Sequence, residues 1–191
     1  MHKEQLLDDS IFLVHGFLSP EECEAFIARA EDAGFGDATV NSPSGPVVQK
    51  RMRSNERAII DDPALASELW QRAAGMIPET QHGWRALCLN ERFRFYRYDV
   101  GQEFGLHIDG PFVRHANEQS FLTFMVYLND GFEGGEPVFI EPGSGQRVEI
   151  TRAVPRAGTA LVFRHPFLHE GSKVTSGRKY VLRSDVMYVR G

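Results

Sequence analysis

Arg92-Phe-Arg-Phe-Tyr-Arg-Tyr98 alternates along its length, and Phe121-Leu-Thr-Phe-Met-Val-Tyr-Leu128 repeats the pattern with aromatic and β-branched residues. A period of two turns successive side chains to opposite faces of a strand, so both segments predict strands with one face toward a core. Shorter runs of similar composition follow at 137–141, 147–151, 159–164 and 179–188, punctuated by Gly134-Gly135, Gly143-Ser-Gly145, Gly158 and Gly177. Upstream the period is helical. Ser19-Pro20-Glu21-Glu22 reads as a capping box with proline at the first helical position; Phe26, Ile27 and Ala30 form an apolar stripe, and Gly34 supplies the stop. A second helix starts at Asp62-Pro63 and carries Leu65, Leu69, Ala73 and Met76 as far as Pro78. Between them, residues 41–46 are rich in Pro, Ser and Gly and read as a mobile loop. Helices followed by many short strands predict an α+β chain, with helical support over about 1–90 bracing a barrel or sandwich over about 90–191. With no internal repeat and no linker to divide it, 1–191 reads as a single domain.

Composition narrows the function classes. A 42% hydrophobic content suffices for an ordinary core, and a net charge of −5 argues against a nucleic-acid partner. Cys23 and Cys88 form no CxxC pair, which suits a reducing compartment. Met1-His-Lys-Glu-Gln runs into Asp8-Asp9-Ser10 rather than an apolar stretch, and no run approaches the roughly 18 apolar residues of a membrane span. The expectation is a cytoplasmic chain with no membrane contact and an oligomeric state left open.

The residues with the most chemical content are His107, Asp109 and His169. His107 and Asp109 stand two apart in Phe104-Gly-Leu-His107-Ile-Asp109-Gly, and His169 lies downstream in His165-Pro-Phe-Leu-His169-Glu-Gly. Alternate residues share a strand face, so His107 and Asp109 can grip one metal while a distant strand brings a second imidazole across. His165 is an alternative third ligand. Two imidazoles and a carboxylate suit Fe(II) with open positions for substrate and O2, although zinc accepts the same donors.

From about Ile11 onward the chain resembles the catalytic domain of prolyl 4-hydroxylase-like, 2-oxoglutarate- and Fe(II)-dependent dioxygenases. Phe17-Leu-Ser-Pro-Glu-Glu-Cys23 is similar to the family's helical opening, and Tyr98-Asp-Val-Gly-Gln-Glu-Phe104 with His107-Ile-Asp109 to its Tyr-x-x-Gly-x-x-aromatic-x-x-His-x-Asp signature. Leu122-Thr-Phe-Met-Val-Tyr-Leu-Asn-Asp130, Gly134-Gly-Glu136 and Phe139 resemble the strand and Gly-Gly turn that follow. Pro155-Arg-Ala-Gly158, Ala160-Leu-Val-Phe163 and His169-x-Gly171 resemble the segment bearing the distal histidine; Gly177-Arg-Lys179-Tyr-Val-Leu-Arg183 resembles the cosubstrate strand. The resemblance implies a double-stranded β-helix, or jelly roll, and a hydroxylase that consumes 2-oxoglutarate and O2 and releases succinate and CO2. It implies Fe(II) on His107, Asp109 and His169, 2-oxoglutarate as cosubstrate, and L-ascorbate as an optional third cofactor. Asp109 favours hydroxylation over halogenation, because the resembling halogenases carry a small residue there.

For the cosubstrate's distal carboxylate the resemblance favours Lys179, ten residues beyond His169, over Arg178, nine beyond. On a strand the two face opposite ways, Lys179 with Val181, Arg183 and Asp185, Arg178 with Tyr180 and Leu182, and parity alone does not say which side is inward. Tyr98 and Thr123 are the other cosubstrate candidates. Arg94 and Tyr96 share parity with Tyr98 and continue toward the mouth; Arg114 follows the triad closely enough to touch substrate. Residues 41–57, with Arg51, Arg53, Asn55 and Arg57, are a candidate lid. Together these arginines suggest a basic mouth suited to an acidic or carboxylate-bearing substrate. A peptidyl proline is the leading substrate; a free amino acid or other small molecule, and a non-catalytic metal- or ligand-binding barrel, are the alternatives. The related nucleic-acid demethylases carry an Arg-x5-Arg arrangement that this chain lacks after His169.

Overall fold

The computed structural model describes residues 1–42, 45–143 and 147–191, so Pro43 and Ser44 of the expected loop and Ser144 and Gly145 of the expected turn lie outside the described residues. The alternation of the Arg92–Tyr98 strand sorts its side chains as a half-buried strand must. Phe93 and Phe95 enter one core, while Tyr96 and Tyr98 enter another. The same division runs through the Glu118–Tyr127 strand, where Phe124 and Val126 oppose Tyr127, and the Ala160–Arg164 strand, where Val162 opposes Leu161 and Phe163.

These strands belong to one large antiparallel sheet. Its order is His2–Leu7, Ile11–His15, Ala160–Arg164, Glu118–Tyr127, Lys179–Val189, Arg92–Tyr98, Glu56–Asp61 and Gly36–Asp37, with Trp84–Leu89 also paired to Lys179–Val189. Two helices cover one face. Helix α1 (Pro20–Ala33) carries the capping box: the Glu22 amide donates to Ser19 Oγ at 3.2 Å, and the Ser19 amide donates to Glu22 Oε2 at 2.7 Å. Helix α2 (Pro63–Ala73) is capped by Asp62, which accepts from the Leu65 amide at 2.9 Å. Cys23 and Ala30 of α1 and Leu65 and Leu69 of α2 pack against Phe93, Phe95 and Phe124.

A smaller sheet, ordered Phe104–His107, His169–Gly171, Pro137–Ile140 and Glu149–Arg152, faces the other side. Its Phe139 joins Tyr96, Tyr127, Leu161, Phe163 and Val181 in the second core, between the sheets. The architecture is α+β: a double-stranded β-helix braced by two helices. Among the described residues no helix is long and apolar enough to cross a membrane.

The structure corrects the expected division at residue 90. The first ninety residues supply the His2–Leu7, Ile11–His15, Glu56–Asp61 and Trp84–Leu89 strands to the large sheet as well as both helices. Ile11, Phe12, Leu13 and Val14 are all buried, because this strand is covered on both faces and so shows no alternation. The candidate lid lines the mouth of the cavity at the triad through Pro46, Met52, Arg53 and Arg57. Arg53 and Asn55 are buried, and Arg57 lies on the Glu56–Asp61 strand, paired to Arg92–Tyr98.

Candidate active site

The Phe104–His107 strand pairs with His169–Gly171 in a register that sets His107 opposite His169, their ring centroids 4.2 Å apart. The strand ends at His107, so Asp109 is placed by other contacts. Its amide donates to the His165 carbonyl at 3.2 Å, and its carboxylate receives the Thr123 hydroxyl at 2.5 Å and the Arg183 guanidinium at 3.1 Å. The three candidate ligands thus converge, with donor atoms all within 4.8 Å of one another. The Nε2 atoms of His107 and His169 lie 3.7 and 3.9 Å from the Asp109 oxygens, less than twice a bond of about 2.1 Å to a single ion.

The donor set also fits a metal in its protonation. Nδ1 of His107 is 2.8 Å from the Gly105 carbonyl, and Nδ1 of His169 is 2.8 Å from the Phe167 carbonyl. A carbonyl only accepts, so both Nδ1 atoms carry the proton and both Nε2 lone pairs face the triad. Burial, with the neighbouring His169, pushes the His107 pKa down to about 4; burial also lowers that of His169. Burial opposes ionisation of Asp109, but Arg183, helped by the Thr123 hydroxyl, holds the carboxyl well below its usual range. Two neutral imidazoles and one carboxylate result. Phe104 stacks on His107 at 3.6 Å between centroids, and Phe163 meets His169 edge-on at 4.7 Å, shielding the ligands from water.

A narrow cavity between the sheets runs from this triad to Lys179, with Tyr98, Thr123 and Met125 in its walls. Lys179 is 2% exposed, donates to the Gly135 carbonyl and lies 4.8 Å from the Tyr98 ring centroid. Burial pushes its pKa down to about 8. Among the described residues it makes no salt bridge, Glu136 acting on it only at a distance, which leaves a buried ammonium ready for an anion.

Residues 93–184 match the 2OG-Fe(II) oxygenase superfamily model. That stretch takes in His107, Asp109, His169 and Lys179. A probable prolyl 4-hydroxylase of Arabidopsis thaliana is 28% identical over 197 residues, covering 86% of this chain and 64% of the relative. A second from the same plant is 31% identical over 136 residues, covering 67% and 44%. The chain therefore spans only part of these relatives' length. The solved prolyl hydroxylase of Trichoplax adhaerens, in complex with a hypoxia inducible factor oxygen degradation domain peptide fragment, superposes with a TM-score of 0.66 at 19% identity, covering 95% of this chain and 85% of that one. This last likeness concerns the fold. The matched model describes oxygenases of Fe(II) and 2-oxoglutarate, and the neutral imidazoles, the carboxylate and the buried ammonium fit both groups.

Within this barrel the other candidates separate. Arg178 is on the outer face, paired with Asp99 at 2.5 Å, while Lys179 points inward. Thr123 lines the cavity, but its hydroxyl is engaged by Asp109. Arg94 faces a second, open cavity of about 520 Å³ above the triad and pairs with Asp185 at 2.9 Å. Arg114 is not brought to either cavity: Glu91 and Glu118 hold its guanidinium elsewhere. His165 stands outside the triad; its Nε2 is 3.7 Å from Asp185, and its carbonyl anchors Asp109. Sequence reasoning gave no role to Arg183 and Asp185. Their parity with Lys179 was the available signal, because it placed both on whichever face Lys179 used.

Proposed function

We propose that the chain is a 2-oxoglutarate- and O2-dependent hydroxylase of prolyl residues in a peptide, releasing succinate and CO2. The observation that carries this reading is the donor set of His107, Asp109 and His169 at one end of a cavity whose other end holds an unpaired, buried Lys179. Bound Fe(II) would supply the oxidation of a C–H bond by O2, coupled to decarboxylation of the cosubstrate. The protein's own residues bind and orient. His107 and His169 present neutral Nε2 donors, Asp109 adds one negative charge, and Thr123 fixes the carboxylate's rotation. Lys179 receives the distal carboxylate of 2-oxoglutarate, with Tyr98 alongside. Phe104 and Phe163 exclude water from the ligands.

A peptide substrate is supported by the names of the relatives and by an apolar groove of about 580 Å³ that reaches Asp109 along Ile108, Pro111, Phe121, Ile150 and Phe167. The test is succinate release from 2-oxoglutarate with Fe(II), L-ascorbate and proline-containing peptides, with mass spectrometry for a gain of one oxygen. Both signals are expected from the parent protein and neither from His107→Ala or Asp109→Ala. Undiminished succinate formation in either variant would remove the triad, and the reading with it.

A further inference from the structure

The cavity above the triad is lined by Arg53, Arg57, Arg94 and Arg183, against only Asp109 and Asp185. Arg92 also reaches its rim but is paired with Asp61. The two carboxylates are already used: Asp185 pairs with Arg94 and Arg183, and Asp109 with Arg183 and the Thr123 hydroxyl. Among the described residues neither Arg53 nor Arg57 has a carboxylate partner; Arg57 donates to the Thr39 hydroxyl at 3.0 Å. Arg53 is 4% exposed and held rigidly, its guanidinium 4.5 Å from the Tyr96 ring centroid and 4.3 Å from that of Phe104, with Nε on the Asn55 amide oxygen. Among the described residues its Nη2 has no hydrogen-bond partner.

A buried guanidinium with an unused donor is costly unless an anion completes it, and the planar fork matches a carboxylate. The excess of positive charge is felt locally. Burial opposes ionisation of the Tyr96 phenol, yet Arg183, Arg53 and Arg94 bring its pKa down to about 8. Lys179 lies at the far end of the other cavity, so the cosubstrate's distal carboxylate does not account for Arg53 and Arg57.

We infer that the substrate of the proposed hydroxylase carries a carboxylate, which docks on Arg53 and Arg57 while the oxidised carbon lies over the triad. This rests on the hydroxylase reading and adds the substrate's charge to it. The carboxylate has two sources, a free amino or imino acid or an acidic residue beside the target in a peptide, and two matched pairs separate them. L-proline is compared with L-prolinamide, and a proline-containing peptide bearing aspartate next to proline with its asparagine counterpart. Each is titrated calorimetrically, without O2, into protein loaded with Mn(II) and 2-oxoglutarate.

The acid should bind about ten- to a hundredfold tighter than its amide in at least one pair, the range expected for charge-assisted hydrogen bonds. That preference should weaken as salt rises and shrink severalfold or more in Arg53→Gln and Arg57→Gln. The pair that shows it names the source. Acid and amide behaving alike in both pairs, including no binding by either, would overturn the inference, as would a preference that survives both substitutions. Should Arg53→Gln fail to fold by circular dichroism, Arg57→Gln alone carries the comparison. A carboxylate preference with no succinate release from any substrate would sink the hydroxylase reading while leaving the anion site, so the two failures are distinguishable.

Discussion

At the level of single side chains, two backbone carbonyls decide much of the chemistry. Gly105 and Phe167 each accept from a histidine Nδ1, which fixes both tautomers and presents both Nε2 atoms. Neither contact is written in the sequence, whereas the identity of His107, Asp109 and His169 as candidates was. Lys179 is the reverse case. The resemblance favoured it over Arg178, but strand parity could not say which face was inward; the barrel buries Lys179 and leaves Arg178 on the surface with Asp99. Its position leads to a pH dependence. The folded pKa is depressed to about 8 from 10.5, so the cost of burying the ammonium is fully present below pH 8 and is relieved as pH rises toward 10.5. Binding runs the other way, since an anionic cosubstrate needs the ammonium. Affinity for 2-oxoglutarate should be flat below pH 8 and fall by up to about tenfold per pH unit above it. Calorimetry with the Mn(II)-loaded protein reads this directly. A flat profile to about pH 9.5, or an unchanged affinity in Lys179→Met, would exclude Lys179 as the carboxylate's partner.

Local signals determine an element when they lie within it. The Ser19 capping box and the Asp62-Pro63 start are read from a few adjacent residues, and both helices form where those signals stand. The alternating strands likewise carry their own face assignment. The Ile11–His15 strand does not, because a strand covered on both faces has no pattern to distinguish it from a buried helical turn. Gly158 shows how one residue joins two elements. Its φ is +73°, its carbonyl accepts the amides of Phe17 and Leu18 at 2.8 and 3.1 Å, and its amide donates to the Tyr127 carbonyl at 2.9 Å. A Cβ there would meet the Leu18 carbonyl oxygen at 2.3 Å. Gly158→Ala should therefore cost about 2–5 kcal/mol, from the left-handed backbone together with the clash. Urea denaturation measures it, and a midpoint unchanged from the parent would show that the turn relaxes freely.

For the molecule as a whole, the site belongs to the gap between two sheets. The smaller sheet brings His107 and His169 side by side, and the larger one contributes Tyr98, Thr123, Lys179 and Arg183 from across the core. Metal binding should therefore stabilise the entire barrel rather than one loop. At about a hundred times its Kd, Mn(II) should add about 2.7 kcal/mol and raise the melting midpoint by about 5–10 °C, with EDTA reversing the shift. An equal rise in His169→Ala would place the metal elsewhere.

The sequence by itself determined the two helices, the strands that alternate, the three candidate ligands and the resemblance to a hydroxylase family, because periodicity, caps and short spacings are properties of neighbouring residues. Only the tertiary structure decided that Lys179 rather than Arg178 faces inward, that Arg114 is tied to Glu91 and Glu118, and that Arg53 is left with a buried, unused donor. Those outcomes depend on which distant side chain ends up opposite, and chain spacing does not encode distance across a core.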